Sequence, residues 1–526
     1  MADPRRWQLA GMLVPITALA SWQLLTSAGV LHFGYLPAPV GILGALAADL
    51  RSGELPRAAA HTLGVVGTAS ALTLTIGTAF GLAIGLSPRL RGWVEASIDA
   101  LRTVPAVTLI PVAVLTFGPT TGTEVVLVTY AALWPMVLNT AGAPASVPPR
   151  RYDVARTLHL TKPDTLRKMV VPAVTPVWLV GARLSVIVAL LVAVVVEMVL
   201  TPNGLGGALV ESLNALAPER MWAYALVCGL IGTVLNIVLR GAVRIALPGH
   251  PATAGSAPPI TRIPVAPLRG LLPLACLLLV WQVSAPASSL TMPPPTQWLS
   301  ALSRLHAEGS LAPAVGHTVA VYLLGLAAAT VLGGTVGVLI GASRRIDRAL
   351  SPTIDFLAAI PGAALVPVLV LLLGPNLLSA VAAVAVVVAW PILLSTATAR
   401  RAIPPVRLEM SQSLGLAKAR HWHSVVLPAL TPDVLLGVRV ASALALIIAL
   451  LTDIFGAGSG IGRLLVESQQ RFDAAAAWGL LLIAGGFGYL TSLALSGIAD
   501  LVTPGPAARG FAPKVRTRHN AYSRST

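Results

Sequence analysis

Four charged residues stand where charge is costly. Arg183, Glu197, Arg439 and Asp453 lie inside long apolar runs, and the second pair repeats the first at an offset of 256. An ionisable side chain in an apolar span is a candidate for a polar transport path, because nothing else there solvates a charged solute. The competing reading is that each arginine extends to an interface and each acid meets a helix terminus or water. Asp99 and Asp355 begin another apolar run and favour that second reading.

Catalytic patterns are missing. The four lysines, Lys162, Lys168, Lys418 and Lys514, never follow a glycine, so the chain has no G-x-x-x-x-G-K-[ST] phosphate loop. It also lacks H-E-x-x-H, C-x-x-C and G-x-S-x-G. Cys228 and Cys276 both lie in apolar runs and read as small core residues, not a disulfide or metal site. The chain is therefore expected not to be an enzyme by itself, and to hold no metal.

Composition sets the elements that must position those charges. Of 526 residues, 56% are hydrophobic and 11% charged. A soluble domain carries about 25% charged residues. With a mean hydropathy of +0.81, the chain reads as an all-α integral membrane protein. The net charge of +16 does not indicate nucleic acid. Its basic residues sit in short loops between apolar runs, as the positive-inside rule expects, and form no continuous basic face.

The chain is a tandem repeat. At the 256 offset, His61-Thr62 meets His317-Thr318, Pro105 meets Pro361, Trp134-Pro135 meets Trp390-Pro391, and Trp222 meets Trp478. The register holds without a gap from residue 36 to beyond 222. About six spans are expected per half: near 9–29, 60–86, 95–117, 123–143, 174–200 and 221–246, then near 268–286, 316–342, 351–373, 377–398, 430–455 and 476–500. The first is read as a retained span, not a cleaved signal peptide. Residues 1–246 form the first repeat, 247–265 a Pro- and Gly-rich linker, 266–503 the second repeat, and 504–526 a basic tail expected to be disordered. Lys and Arg clusters place both termini, the linker and both span-four-to-five loops in the cytoplasm, and an even span count makes the repeats parallel.

Two polar segments interrupt the apolar pattern. "DVARTLHLTKPDTLRKMVVPA" starts at residue 153 and "EMSQSLGLAKARHWHSVVLPA" at 409. Glu409 to Leu414 suits a short helix, Gly415 a break, and Ala417 to Leu427 a second helix, with Pro428 beginning the return to the membrane. Such a projecting helix is a docking element.

These segments resemble the cytoplasmic loop of ABC importer permeases, whose signature is Glu-Ala-Ala, three residues, Gly, nine residues, then Ile-x-Leu-Pro. Glu409, Gly415, Val425, Leu427 and Pro428 fall on that spacing, with Met410-Ser411 replacing the alanines. In the first half Asp153, Val154, Ala155, His159, Met169, Val171 and Pro172 correspond. The resemblance covers both halves and is nearest the nitrate/sulfonate/taurine branch, through "SLGLAKARHWHSVVLPALTP" and "DIFGAGSGIGRLL". It implies two parallel permease repeats in the cell membrane and alternating access. It also implies two ATP-binding ABC subunits carrying ATP and magnesium, and a solute-binding protein outside. Asp153, Ala155, Leu158, His159 and Leu160, with Glu409, Ser411, Leu414, Gly415 and Leu416, would then contact the ATPase. His159 departs from the glycine, and with Pro163 nearby it predicts a first loop that turns differently. A permease for quaternary amines or a thiamine-like solute would share these loops; an ion-coupled secondary transporter would not need them.

Three further features bear on packing or function. Gly77, Gly81 and Gly85, repeated as Gly333, Gly337 and Gly341, predict close helix approach. Thr62 and Thr318 read as N-caps of the second spans. "TPNGLGG" at 201–207 and "GAGSGIG" at 456–462 suit a gate, a docking surface or ordinary turns.

Overall fold

The computed structural model describes the chain from residue 16 to 502, apart from residues 18, 30–34, 147–148, 201–202, 247–266, 287, 457 and ten positions between 344 and 359. The linker 247–265, the tail 504–526, Asp355 and much of the first span lie outside the described residues.

The first half runs through α1 (Pro39–Ser52), α2 (Glu54–Leu86), α3 (Pro88–Arg102), α4 (Ala106–Phe117), α5 (Thr121–Gly142), α6 (Pro149–Thr157), α7 (Val171–Leu200), α8 (Gly204–Asn214) and α9 (Pro218–Ala246). The second runs through α10 (Pro267–Ser284), α11 (Pro295–Ala307), α12 (Leu311–Ala342), α13 (Gly362–Leu373), α14 (Leu377–Ala402), α15 (Pro405–Ser413), α16 (Leu427–Phe455), α17 (Ile461–Gln470) and α18 (Ala474–Val502). From α11 on, each element lies 256 residues or nearly so after its counterpart.

Among the described residues, eight helices are long and apolar enough to cross a membrane, four in each half. They correspond to expected spans two, four, five and six. The third span, expected to be continuous over 95–117, is not: α3 and α4 meet at 87°. The cause is local. Val104 precedes Pro105, which disfavours the helical conformation, and Pro105 itself is extended at φ −66°, ψ 134°. Pro361 starts α13 in the same way. The span expected near 268–286 is the shorter helix α10.

The glycine stripes pack the second span on the fourth, as expected from their spacing. A Cβ at Gly77 would stand 2.8 Å from Met136 Cγ, and one at Gly337 2.7 Å from the Leu393 carbonyl. Cys228 is buried in a core cluster, but Cys276 is exposed, so the expectation of a core residue fails there. It lies on α10, which packs on α3 and leaves Leu277 and Leu279 exposed as well.

The halves interlock reciprocally. Val104 seats against Gly485 of α18, where a Cβ would be 2.9 Å from Val104 Cγ2. Its counterpart Ile360 seats against Gly229 of α9, where a Cβ would be 2.6 Å from Ile360 Cγ1. Val104 and Ile360, each just before the proline that opens α4 or α13, thus lodge against the other half's last span, a self-complementary contact of the kind a two-fold axis generates. One apolar cluster runs through both halves, joining Val107 and Ile110 to Leu446 and Leu480.

Candidate functional site

The two loops fold alike, against the expectation that they differ. In the first, α6 ends where the Leu160 N–H donates to the Ala155 carbonyl at 3.0 Å. In the second, α15 ends where the Leu416 N–H donates to the Ser411 carbonyl at 3.2 Å. This six-to-one closure needs a left-handed residue just past the helix. Gly415 supplies it at φ 61° and His159 at φ 49°. His tolerates that region better than most side chains, so the turn survives the loss of glycine. After the turn both loops continue through one helical turn and then a π-helical segment, Leu166–Val170 and Trp422–Val426. Pro163 sits in the first turn of the short helix Lys162–Thr165, where its missing N–H costs little.

The turn presents one apolar side chain outward and tucks another inward. Leu158 and Leu414 are 65% and 72% exposed, while Ala155 and Ser411 are buried. Val154 and Met410 are exposed beside the leucines, and Asp153 and Glu409 are exposed at the preceding position. Beside the second turn lies a groove of about 410 Å³ lined by Met410, Ser411, Leu414, Leu416, Val425 and Pro428. Exposed leucines beside a groove, on a polar loop, form a surface suited to a protein partner.

What braces each loop differs. In the second, Ser411 Oγ and His421 Nδ1 are 2.6 Å apart. In the first, Ala155 offers no such group, and polarity moves along the chain. Thr161 Oγ1 donates to Asp164 Oδ2 at 2.8 Å, the Asp164 N–H donates to Thr161 Oγ1 at 3.3 Å, and Lys168 Nζ lies 3.0 Å from Asp164 Oδ1. Hydrogen bonds from Lys168 and Thr161, with the lysine's charge, hold the Asp164 carboxyl below its ordinary value. The second half has Ala417, Arg420 and Ser424 at those places.

The four charges read from the apolar runs separate into two kinds. Glu197 and Asp453 are each 1% exposed, in the last turns of α7 and α16, with their carboxyls facing the N-termini of the helices that follow. Thr62 Oγ1 donates to Glu197 Oε2 at 3.0 Å, and the same oxygen accepts the Gly206 N–H at 2.9 Å. The Leu205 N–H donates to Thr62 Oγ1 at 3.0 Å. In the second half Thr318 Oγ1 donates to Asp453 Oδ2 at 2.7 Å, which accepts the Gly462 N–H at 3.2 Å, while the Ile461 N–H donates to Thr318 Oγ1 at 2.9 Å. Each acid thus accepts one open N–H of α8 or α17 and its threonine the neighbouring one, and the acid complements that helix dipole. The glycine-rich stretches run into these helices, with Gly204 to Gly207 and Ile461-Gly462 in their first turns. Thr62 and Thr318 stand inside α2 and α12, so they cap no helix of their own, and their hydroxyls instead serve α8 and α17. Composition alone hid this, since the partners are 135 to 143 residues apart.

Arg183 lies fourteen residues before Glu197 on α7, roughly 21 Å along the axis, so the two are not one site. It reaches Asn236 on α9 instead. Arg439 is half-buried at the matching place on α16.

The profile of the "Binding-protein-dependent transport system inner membrane component" family matches residues 74–249 and again 329–507. The chain belongs to that family. This permease carries the family domain twice. The putative aliphatic sulfonates transport permease protein SsuC of Bacillus subtilis is 28% identical over 236 residues, which is 44% of this chain and 84% of that protein. The nitrate import permease protein NrtB of a Synechocystis species is 25% identical over 246 residues, 45% of this chain and 90% of its own length. The bicarbonate transport system permease protein CmpB of the same organism is 25% identical over 240 residues, 43% of this chain and 86% of its own. Each relative therefore matches about half of the permease.

Proposed function

We propose that this chain is the permease of an ATP-driven importer for a small anion, with both halves of the translocation path in one polypeptide. The observation that carries the reading is the pair of identical left-handed turns at His159 and Gly415, presenting Leu158 and Leu414 at the same register. Two equivalent docking turns suit two ATPase subunits, which hold ATP and magnesium because this chain has no phosphate loop. Family membership and three relatives named for sulfonate, nitrate and bicarbonate transport support the substrate class. A solute-binding protein delivers the anion from outside. The reciprocal seats at Gly229 and Gly485 support motion of the halves as a pair. Closure of the ATPases then draws the two loops together and tilts the halves between inward and outward states.

In this reading the loops, the linker and both termini face the cytoplasm of a cell membrane. Ser256→Cys, in a chain whose Cys228 and Cys276 are replaced, should resist an impermeant thiol reagent added outside intact cells. Labelling there would overturn the orientation. For transport, vesicles containing the chain, its ATPase and a loaded binding protein should take up sulfonate, nitrate or bicarbonate only with ATP. Uptake driven by a proton or sodium gradient without the ATPase would overturn the importer reading in favour of a secondary transporter.

A further inference from the structure

Charges buried in an apolar span are normally paired, yet the first half places two cations side by side without an acid. Arg183 Nη2 donates to Asn236 Oδ1 at 3.0 Å. Arg240 follows Asn236 by one helical turn on α9, on the same face. Arg240 therefore borders the same face of α9 that Arg183 reaches through Asn236. Nε of Arg183 and Nε of Arg240 are both buried without a hydrogen-bond partner. Among the described residues, no carboxylate pairs with either.

The amide between them is oriented. A guanidinium only donates, so Asn236 must turn Oδ1 to Arg183, which leaves its Nδ2 as another donor. Two guanidinium groups and an amide N–H₂ therefore share one face of α9, and the one acceptor among them, Asn236 Oδ1, is already taken by Arg183. All three side chains are half-buried, so the cluster is open to a ligand. Arg240 is six residues before the end of α9 at Ala246, roughly 9 Å along the axis, which puts the cluster near that end of the helix.

The second half lacks this arrangement. Arg439 is retained, but Asn236 and Arg240 are replaced by Ser492 and Ser496. Ser496 Oγ donates back to the Ser492 carbonyl at 2.7 Å, as an ordinary helix residue does. The cation pair is thus peculiar to one half, and helix packing common to both does not require it.

We propose that Arg183, Asn236 and Arg240 form a binding site for one oxyanion group. The missing component is an acceptor carrying negative charge, which would answer the orphan Nε atoms of the two arginines. A phosphate of a lipid headgroup and a free tetrahedral or planar oxyanion offer the same chemistry. The inference stands on membrane placement and on these side chains, not on the transport reading.

The test uses the purified full-length chain in a neutral detergent. Retained phosphatidylglycerol is counted by native mass spectrometry, and radiolabelled sulfate binding is measured by equilibrium dialysis. The wild-type chain should hold about one anion of one source or the other. The Arg183→Gln/Arg240→Gln double variant should bind at least tenfold more weakly, Arg183→Lys/Arg240→Lys in between, and the exposed Arg244→Gln like wild type. Retained lipid with no sulfate binding assigns the site to a headgroup, and sulfate binding assigns it to a free anion; either supports the site. Should the double glutamine variant fail to fold, Arg240→Ser, the second-half residue, replaces it with the same expected loss. Equal retention of both probes by wild type and by the variant that folds would overturn the proposal. Neither assay needs ATP, an ATPase or transport, so failure of the importer reading would leave this result untouched.

Discussion

The two loops have the same backbone built from different residues. At His159 and Gly415 the chain takes the same left-handed turn, φ 49° and 61°, although only one of them is glycine. Behind the turns the bracing diverges: Ser411 with His421 on one side, Thr161, Asp164 and Lys168 on the other. The lesson is that the geometry of the left-handed turn is duplicated while its support is free to drift. The deep clamps obey the same rule, with Glu197 in one half and Asp453 in the other, each held by a threonine and the next helix's N–H groups. Drift is greater beyond them. His61 Nε2 lies 2.8 Å from Glu124 Oε2, whereas the second half has Ala380 in place of that acid and His317 Nε2 lies 3.8 Å from Asp453 Oδ1.

The strongest way to break the equivalence of the halves is at the reciprocal seats. Gly229→Leu and Gly485→Leu each push a side chain into the opposing bend, and overpacking of this kind costs roughly 1–3 kcal/mol or more. Both should sharply lower the yield of folded chain on gel filtration, Gly229→Leu the more so because Ile360 is closer. A normal yield from one and collapse from the other would mean the halves do not interlock symmetrically.

Next come the clamps. Thr62→Val and Thr318→Val each remove one donor to a buried carboxylate and one acceptor for a helix N–H. A buried polar group left unpaired costs about 1–3 kcal/mol, so each variant should lower the thermal midpoint by several degrees, and by similar amounts. An unchanged midpoint for Thr318→Val alone would show that Asp453 is supported differently from Glu197.

The turns themselves sharpen the comparison. From sequence, His159→Val looks milder than Gly415→Val, because the position already holds a side chain. The positive φ at His159 removes that argument, since a β-branched residue is equally misplaced in either turn. Both should cost roughly 1–3 kcal/mol, enough to weaken ATPase docking about tenfold at 1.4 kcal/mol. His159→Gly should instead relieve strain and tighten docking severalfold. Affinity of the ATPase for detergent-purified chain measures all three; a harmless His159→Val would contradict the shared turn.

The smallest effect is electrostatic. Asp164 titrates below its ordinary value, so its contribution is full above the unfolded value and fades as pH falls through the folded one. Hydrogen exchange on acidification should therefore loosen the first loop before the second, where Arg420 replaces it. Asp164→Asn should abolish that difference; identical acid profiles for both wild-type loops would remove Asp164 from the bracing.

Much of this was legible in the sequence because the repeat preserves spacing. The 256 register, the long spans and the glycine stripes depend on local periodicity, which a sequence displays directly. The break at Thr103–Pro105 was masked by apolar residues on both sides, although Pro105 and Pro361 were the available signal. The clamp was hidden more deeply, because Thr62, Glu197 and Leu205 meet only after three helices pack. The cation pair required structure too: Arg183 stood out alone, but Asn236 and Arg240 look unremarkable in a helix rich in arginine near its end.

The central claim is that the two turns are where ATP hydrolysis enters the membrane part. The direct test is the double variant Leu158→Asp/Leu414→Asp, which charges both exposed leucines without touching a buried contact. Uptake of the anion is measured in vesicles holding the chain, its ATPase and the loaded binding protein. We expect the chain to insert and fold normally while ATP-driven uptake falls at least a hundredfold, with each single variant intermediate. Uptake at the wild-type rate by the folded double variant would contradict the claim.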